Sequence, residues 1–191
     1  MNLENDSILT PFSFGIDALS GELDPKREVH QRTLSDLYNF FLKPKMGDDL
    51  VYEVRPISVP ATNNNLLSST TMINPGQVNG EYFMTKGHFH QLRDRSEFYI
   101  GLSGEGLLVM ATEDGKVVVE EMRPGRINYV PGNWSHRSVN TGKVPFTFFA
   151  VYIADAGQDY EIIERNGFPV IVIDDSGSPK VISNPRYKKT S

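Results

Sequence analysis

A chain of 191 residues with a net charge of −5 and no cysteine has the length of one ordinary domain and can bury its own core without disulfide or metal staples. The missing cysteines exclude disulfides, thiolate zinc sites and cysteine nucleophiles. The acidic balance, with no Lys/Arg run before the closing Arg186 to Lys189, argues against nucleic acid as a partner, and no apolar run approaches the roughly 18 residues of a membrane span.

The opening residues lack a basic region followed by an apolar stretch, so no signal peptide and a cytoplasmic location are expected. Residues 1 to about 30 are polar and rich in turn formers and predict an extended arm. Over 33–42, Leu34, Leu37, Tyr38 and Phe41 fall on one face before Pro44, which predicts a helix packed on the outside of a sheet. The arm and this helix occupy 1–48. From about 49 to 175, short runs rich in Val, Ile, Phe, Tyr and Thr alternate with Gly, Pro, Asn and Asp turns. They are 51–54, 69–73, 82–85, 97–102, 106–111, 116–121, 127–130, 136–140, 146–153 and 170–173. Asp114-Gly115 is a hairpin signal and Asp175-Ser176-Gly177 a second turn; 176–191 reads as a last strand and a tail. Many short strands at close spacing predict an all-β sandwich or barrel, in a single domain over 1–191.

The chain has four histidines, and three lie in two short windows. His88 and His90 stand two residues apart, which on a strand directs both imidazoles to one face and Phe89 to the other. Glu97 opens the next strand-like run. His136 follows the turn formers Pro131, Gly132 and Asn133. Three nitrogens and one carboxylate oxygen suit a divalent first-row metal. A single strand histidine is more often hydrogen-bonded than ligating, and a lone His-x-His is only suggestive. The surrounding turn framework strengthens the metal reading: Gly104 after Glu97, Gly125 ahead of Pro131, and Asn140 after His136. His30, in the polar arm, reads as surface.

These residues resemble the two cupin motifs: a glycine, His-x-His, a spaced Glu and a glycine, then a glycine, a proline and His-x3-Asn. The gap from His90 to Glu97 is longer than usual in cupins, and Asn133 stands where a glycine is more usual; Asn tolerates the left-handed conformation such a turn needs. Longer blocks, TKGHFH around His88, Glu97 to Tyr99, YVPGNWSHRSVN around His136, and PFTFFAVYIADAGQDY ending at Tyr160, are similar to the cupin-type glucose-6-phosphate isomerases found mainly in archaea. The similarity runs from about Leu50 to the tail.

That resemblance implies a cupin double-stranded β-helix (jelly-roll barrel) with an N-terminal arm and one or two short peripheral helices. It implies one divalent metal ion per subunit on His88, His90, Glu97 and His136, with Fe2+ favoured and Mn2+, Ni2+, Zn2+ or Co2+ fitting the same donors. It implies a hexose 6-phosphate substrate, a homodimer and no redox cofactor. Glu97 and Tyr152 are the implied catalytic residues; Thr71, Thr85, Gly87, Tyr99, Tyr152 and Tyr160 are the implied substrate contacts. Parity places Tyr99 beside Glu97 independently of the resemblance, whereas Tyr152 also reads as a half-buried core tyrosine and Thr71 as a plain strand threonine. Lys86, Arg93, Arg95 and Arg137 cluster around the motifs; Arg137 is the first candidate to screen a phosphate, although parity points it away from His136. Gln158 replaces a histidine of the family and cannot titrate near neutrality. A cupin Fe(II) dioxygenase and a non-catalytic sugar-phosphate-binding cupin are the competing readings.

Overall fold

The computed structural model describes residues 9–62 and 65–189; the parts of the expected arm and tail at 1–8 and 190–191 lie outside the described residues. In chain order the strands are β1 (Gly15–Ile16), β2 (Leu23–Asp24), β3 (His30–Thr33), β4 (Leu50–Ile57), β5 (Leu66–Ile73), β6 (Gln77–Val78), β7 (Glu81–Tyr82), β8 (Glu97–Ser103), β9 (Gly106–Ala111), β10 (Val117–Met122), β11 (Ile127–Val130), β12 (Ser135–Asn140), β13 (Phe146–Ile153), β14 (Val170–Asp175) and β15 (Ser178–Ser183). A 3-10 helix spans Ser35–Phe40, and α1 spans Glu161–Asn166.

The strand ladders are antiparallel. A six-stranded sheet runs β11-β8-β13-β5-β4-β3, a three-stranded sheet β10-β9-β12, and a four-stranded sheet β15-β14-β7-β6; β1 and β2 form a separate pair. Period-two alternation gives each strand an inward and an outward face. On β13, Phe146, Phe148 and Ala150 turn inward; their partners on β5 are Ile73, Thr71 and Ser69. Phe146, Ile73, Val130, Leu108 and Met122, drawn from both the six- and the three-stranded sheets, are wholly buried and join one apolar core. The barrel interior lies between those two sheets, and the polar members of the same inward rows are left to face a pocket.

The two predicted turns form as the residues require. β9 and β10 meet across Gly115 at φ 88, and β14 and β15 across Ser176 and Gly177 at φ 57 and 90. Asn133 sits at φ 68, the left-handed conformation its turn needs.

The structure refines three expectations. The segment over 33–42 is a 3-10 helix of six residues, not an α-helix. Three residues per turn stack Leu34 on Leu37 and leave Tyr38 43% exposed. The Asp36 carboxylate, accepting the Thr33 N–H at 2.8 Å, tightens this turn. The extended arm is built of strands: it contains β1 and β2, and β3 pairs with β4 of the same chain. Thr70 and Thr147 fasten it to the barrel by donating their hydroxyls to the carbonyls of Gly21 (2.5 Å) and Leu19 (2.7 Å). The run at 82–85 is not a continuous strand, since only Glu81–Tyr82 and an isolated bridge from Met84 to Val139 pair there.

Replacing Phe146 by Ala leaves a cavity in a core closed on both sides. We expect a loss of about 3–5 kcal/mol, measured by urea denaturation with an unchanged m-value.

Candidate metal centre and substrate pocket

The segment ahead of His90 lies along β12. The Thr85 N–H donates to the Ser138 carbonyl at 2.9 Å, and His88 and His136 exchange both of their main-chain hydrogen bonds, at 3.2 and 3.1 Å. The two histidines are therefore directly paired, with ring centroids 4.5 Å apart. His90, two residues on, returns to the same face, its ring 5.2 Å from that of His136. Glu97, at the start of β8, completes the group: its Oε2 is 3.1 Å from Nε2 of His90 and 3.1 Å from Nε2 of His136. One ligand atom from each of the four residues lies within 4.8 Å of every other. His90, Glu97 and His136 are buried and His88 nearly so.

The surroundings fix the imidazoles for ligation. Nδ1 of His90 donates to the Arg95 carbonyl at 2.9 Å, and Nδ1 of His136 to the Trp134 carbonyl at 3.4 Å. A carbonyl only accepts, so the proton belongs on Nδ1 and the Nε2 lone pair turns inward. Nε2 of His88 and of His136 are buried without a hydrogen-bond partner. Lone pairs directed at a carboxylate repel it unless a cation stands among them, which is why this donor set fits a divalent metal ion. Without that ion, protons must supply the charge. Burial raises the Glu97 pKa, but His136 and His90 outweigh it and hold the carboxyl well below its usual range. Burial, then the His136 charge, pushes His88 well below the ordinary imidazole value. For His90, burial is outweighed by the contacts with Glu97 and the Arg95 carbonyl, and the pKa rises.

The pocket in front of this group gathers Thr71, Thr85, Gly87, Tyr99, Tyr152 and Tyr160 around His88, Glu97 and His136; His90 is not among its lining residues. Register explains the arrangement: Tyr152 is the β13 partner of Glu97, Tyr99 that of Ala150, and Thr71 that of Phe148. Gly87 adopts φ +73, and a Cβ there would come within 3.1 Å of the His136 carbonyl oxygen and of Arg137; only glycine fits this backbone against β12. Burial, then the Glu97 charge, pushes Tyr152 up to about 12 and Tyr99 well above its ordinary value. Burial also raises Tyr160 and Tyr52. The four phenols are thus neutral hydrogen-bond donors at pH 7.

The sequence reading missed Tyr52, Ser69 and Ser138, which also line the pocket. The parity of Tyr52 with Val54, and of Ser69 with Thr71, was the available signal. Arg137 is a correction. It is 3% exposed, stacks 4.9 Å from the Phe168 ring centroid and donates from Nη2 to the Lys86 carbonyl at 2.7 Å. It cannot face a substrate, because its side of β12 is covered rather than open. Lys86 borders the pocket, with its ammonium 5.4 Å from the Phe40 ring centroid. Arg93 and Arg95 pair instead with Asp159 and Asp155. Gln158 reaches the pocket and accepts the Tyr160 hydroxyl proton at 2.6 Å. Asn140 is structural, donating to the Ile73 and Val144 carbonyls. His30 is exposed on β3.

An antiparallel barrel with a His3Glu group facing its interior defines a cupin. The fold is similar to a solved structure of oxalate oxidase in complex with the substrate analogue glycolate, at TM-score 0.50 and 15% identity over 61% of this chain and 58% of that one; this likeness concerns the fold alone. The family model for glucose-6-phosphate isomerase (GPI) matches residues 31–188. The curated glucose-6-phosphate isomerases of Pyrococcus horikoshii and Thermococcus kodakarensis are each 42% identical over 185 residues, covering 93% and 94% of this chain and 97% of theirs. That of Sinorhizobium medicae is 31% identical over 192 residues, 95% of this chain and 90% of its own. The chain belongs to the glucose-6-phosphate isomerase family.

Protein reconstituted with a divalent metal is expected to hold one ion per chain by elemental analysis. His88→Ala and His136→Ala should each weaken its binding by about 100-fold or more in a chelator competition, since each removes an inward-facing donor.

Proposed function

We propose that the chain interconverts glucose 6-phosphate and fructose 6-phosphate at this pocket, using one divalent ion held by His88, His90, Glu97 and His136. The observation that carries the reading is the placing of a hydroxyl-rich wall directly opposite a buried His3Glu group. A bare oxygen-activating metal site has no need of four phenols and two threonines, whereas a sugar phosphate has a hydroxyl or phosphoryl oxygen for each.

When bound by these four residues, the ion would supply Lewis acidity for the charge that develops as the carbonyl moves between C1 and C2. Thr71, Thr85 and the Gly87 N–H bind the phosphate, with Lys86 as the nearby cation. Tyr52 and Tyr99 donate to the sugar oxygens, while Tyr160, whose proton goes to Gln158, accepts from a sugar hydroxyl; together they orient the C1–C2 bond. Tyr152, cross-strand from Glu97, hands a proton to or from a sugar oxygen. Glu97 acts first as a ligand. Its depressed pKa makes it a weak base, so a second role at the C2 proton competes with ligation.

We favour iron(II) as the ion in a cytoplasmic enzyme, with manganese, nickel, zinc or cobalt serving the same donors. We favour a homodimer as well. On the outward face of the six-stranded sheet, Ile127 and Tyr129 are 68% and 62% exposed. They pair with Ile100 and Phe98, which in turn pair with Phe149 and Val151. Light scattering on the eluting protein should give twice the 21.5 kDa chain mass, and Tyr129→Glu should lower it toward one chain.

In a coupled assay, metal-loaded protein should convert fructose 6-phosphate without added nucleotide. Chelator and His88→Ala should remove at least about 99% of the rate, and Tyr152→Phe should lower kcat by roughly 100-fold. Absence of conversion by metal-loaded protein would overturn the reading; oxygen uptake in its place would point to a dioxygenase. Solvent deuterium at C1 or C2 of the product marks proton transfer through a cis-enediol; its absence is the outcome of direct hydride transfer, or of an enediol route in a site sealed from solvent exchange.

A further inference from the structure

We infer that the connection between His90 and Glu97 is a positioning device for the opposite pocket wall, with Arg93 and Arg95 as its two clamps. The inference rests on the isomerase reading above and assigns these arginines a role in it. The wall is the turn after β13, residues 154–160, which delivers Gln158 and Tyr160 to the pocket. The connection grips this turn at both ends. The Arg95 guanidinium donates to both carboxylate oxygens of Asp155, at 2.7 and 2.8 Å. The Arg93 guanidinium lies 4.8 Å from the Phe89 ring centroid and donates to Asp159 at 2.6 Å, to Glu113 at 2.9 Å and to the His90 carbonyl.

Main-chain bonds complete the grip. The Leu92 N–H donates to the Ala156 carbonyl at 3.0 Å, and Phe89 and Asp159 exchange hydrogen bonds at 3.2 and 2.8 Å. Between the clamps, a Cβ on Gly157 (φ +62) would fall 2.5 Å from the Gln91 amide oxygen. The same loop touches the metal group, because the Arg95 carbonyl accepts the His90 Nδ1–H. That contact is to the main chain and uses neither guanidinium, whereas the guanidinium clamps set the height of Tyr160, whose ring stands 5.3 Å from that of His88. Both arginines are about a quarter exposed, at 29% and 24%. The Arg95–Asp155 pair is bidentate and Arg93 bridges Asp159 and Glu113, the geometries in which an ion pair fixes position.

Arg93→Met, Asp159→Asn and the double variant separate this role from a structural one. With metal saturating, each single variant should raise the KM for fructose 6-phosphate at least tenfold, with kcat and the metal dissociation constant within threefold of wild type. The double variant should be no worse than either single. Arg93→Lys, which keeps the charge but loses the fork, should fall between and covers the case of a poorly folded Arg93→Met. In metal-free protein, amide exchange across 154–160 should quicken about tenfold in Arg93→Met, while β12 stays unchanged. KM within twofold of wild type with unchanged exchange overturns the inference. So do multiplying effects in the double variant, or metal affinity falling in step with KM. A wild type that binds metal but does not convert the sugar defeats the isomerase reading instead, and leaves the exchange result to judge the clamp.

Discussion

A carboxylate inside a barrel has to be neutralised where it stands, because bulk water cannot reach it. Glu97 is 5% exposed, and one of its oxygens faces two imidazole nitrogens at 3.1 Å. Fixing the proton on Nδ1 of His90 and His136 turns those contacts from attraction into repulsion unless a cation is shared among the donors. The rest of the site follows from meeting that demand. Strand pairing brings His88 against His136, alternation returns His90 to the same face, and β8 begins where its first side chain closes the group. A divalent ion with one carboxylate and three neutral ligands leaves a local charge of about +1, which suits an anionic sugar in a chain whose net charge is −5.

Around that charge the protein places neutral groups. Four phenols whose protons are held by burial can donate at any physiological pH without adding charge. Negative potential in the pocket is thereby confined to Glu97 and to the substrate itself.

The metal group was legible because strand parity is a strict rule. Alternation put His88 with His90 and Glu97 with Tyr99, the turn framework and the cupin resemblance joined the two pairs, and the turns at Gly115, Asn133 and Gly177 followed from which residues tolerate positive φ. Elsewhere a second layer decided the outcome. Parity correctly turned Arg137 away from His136 but could not tell that Phe168 and the Lys86 carbonyl waited there; a charged residue facing outward from a strand reads as solvated until something covers it. Tyr38 was assigned by a 3.6-residue period to a helix that winds at three. Tyr52 and Ser69 lined the pocket because β5 borders β13 and β4 borders β5, an order that local sequence does not carry. Arg93 and Arg95 looked like surface cations, and their acids lie some sixty residues further on, at Asp159 and Asp155.

The Ser176–Gly177 hairpin has a practical use. Ser176 at its tip is exposed, and no residue of β14 or β15 lines the pocket. The tip of this hairpin is therefore a place to graft a tether, a fluorophore or a fused module. The barrel could be immobilised through it with its mouth left open to a flowing stream of sugar phosphate.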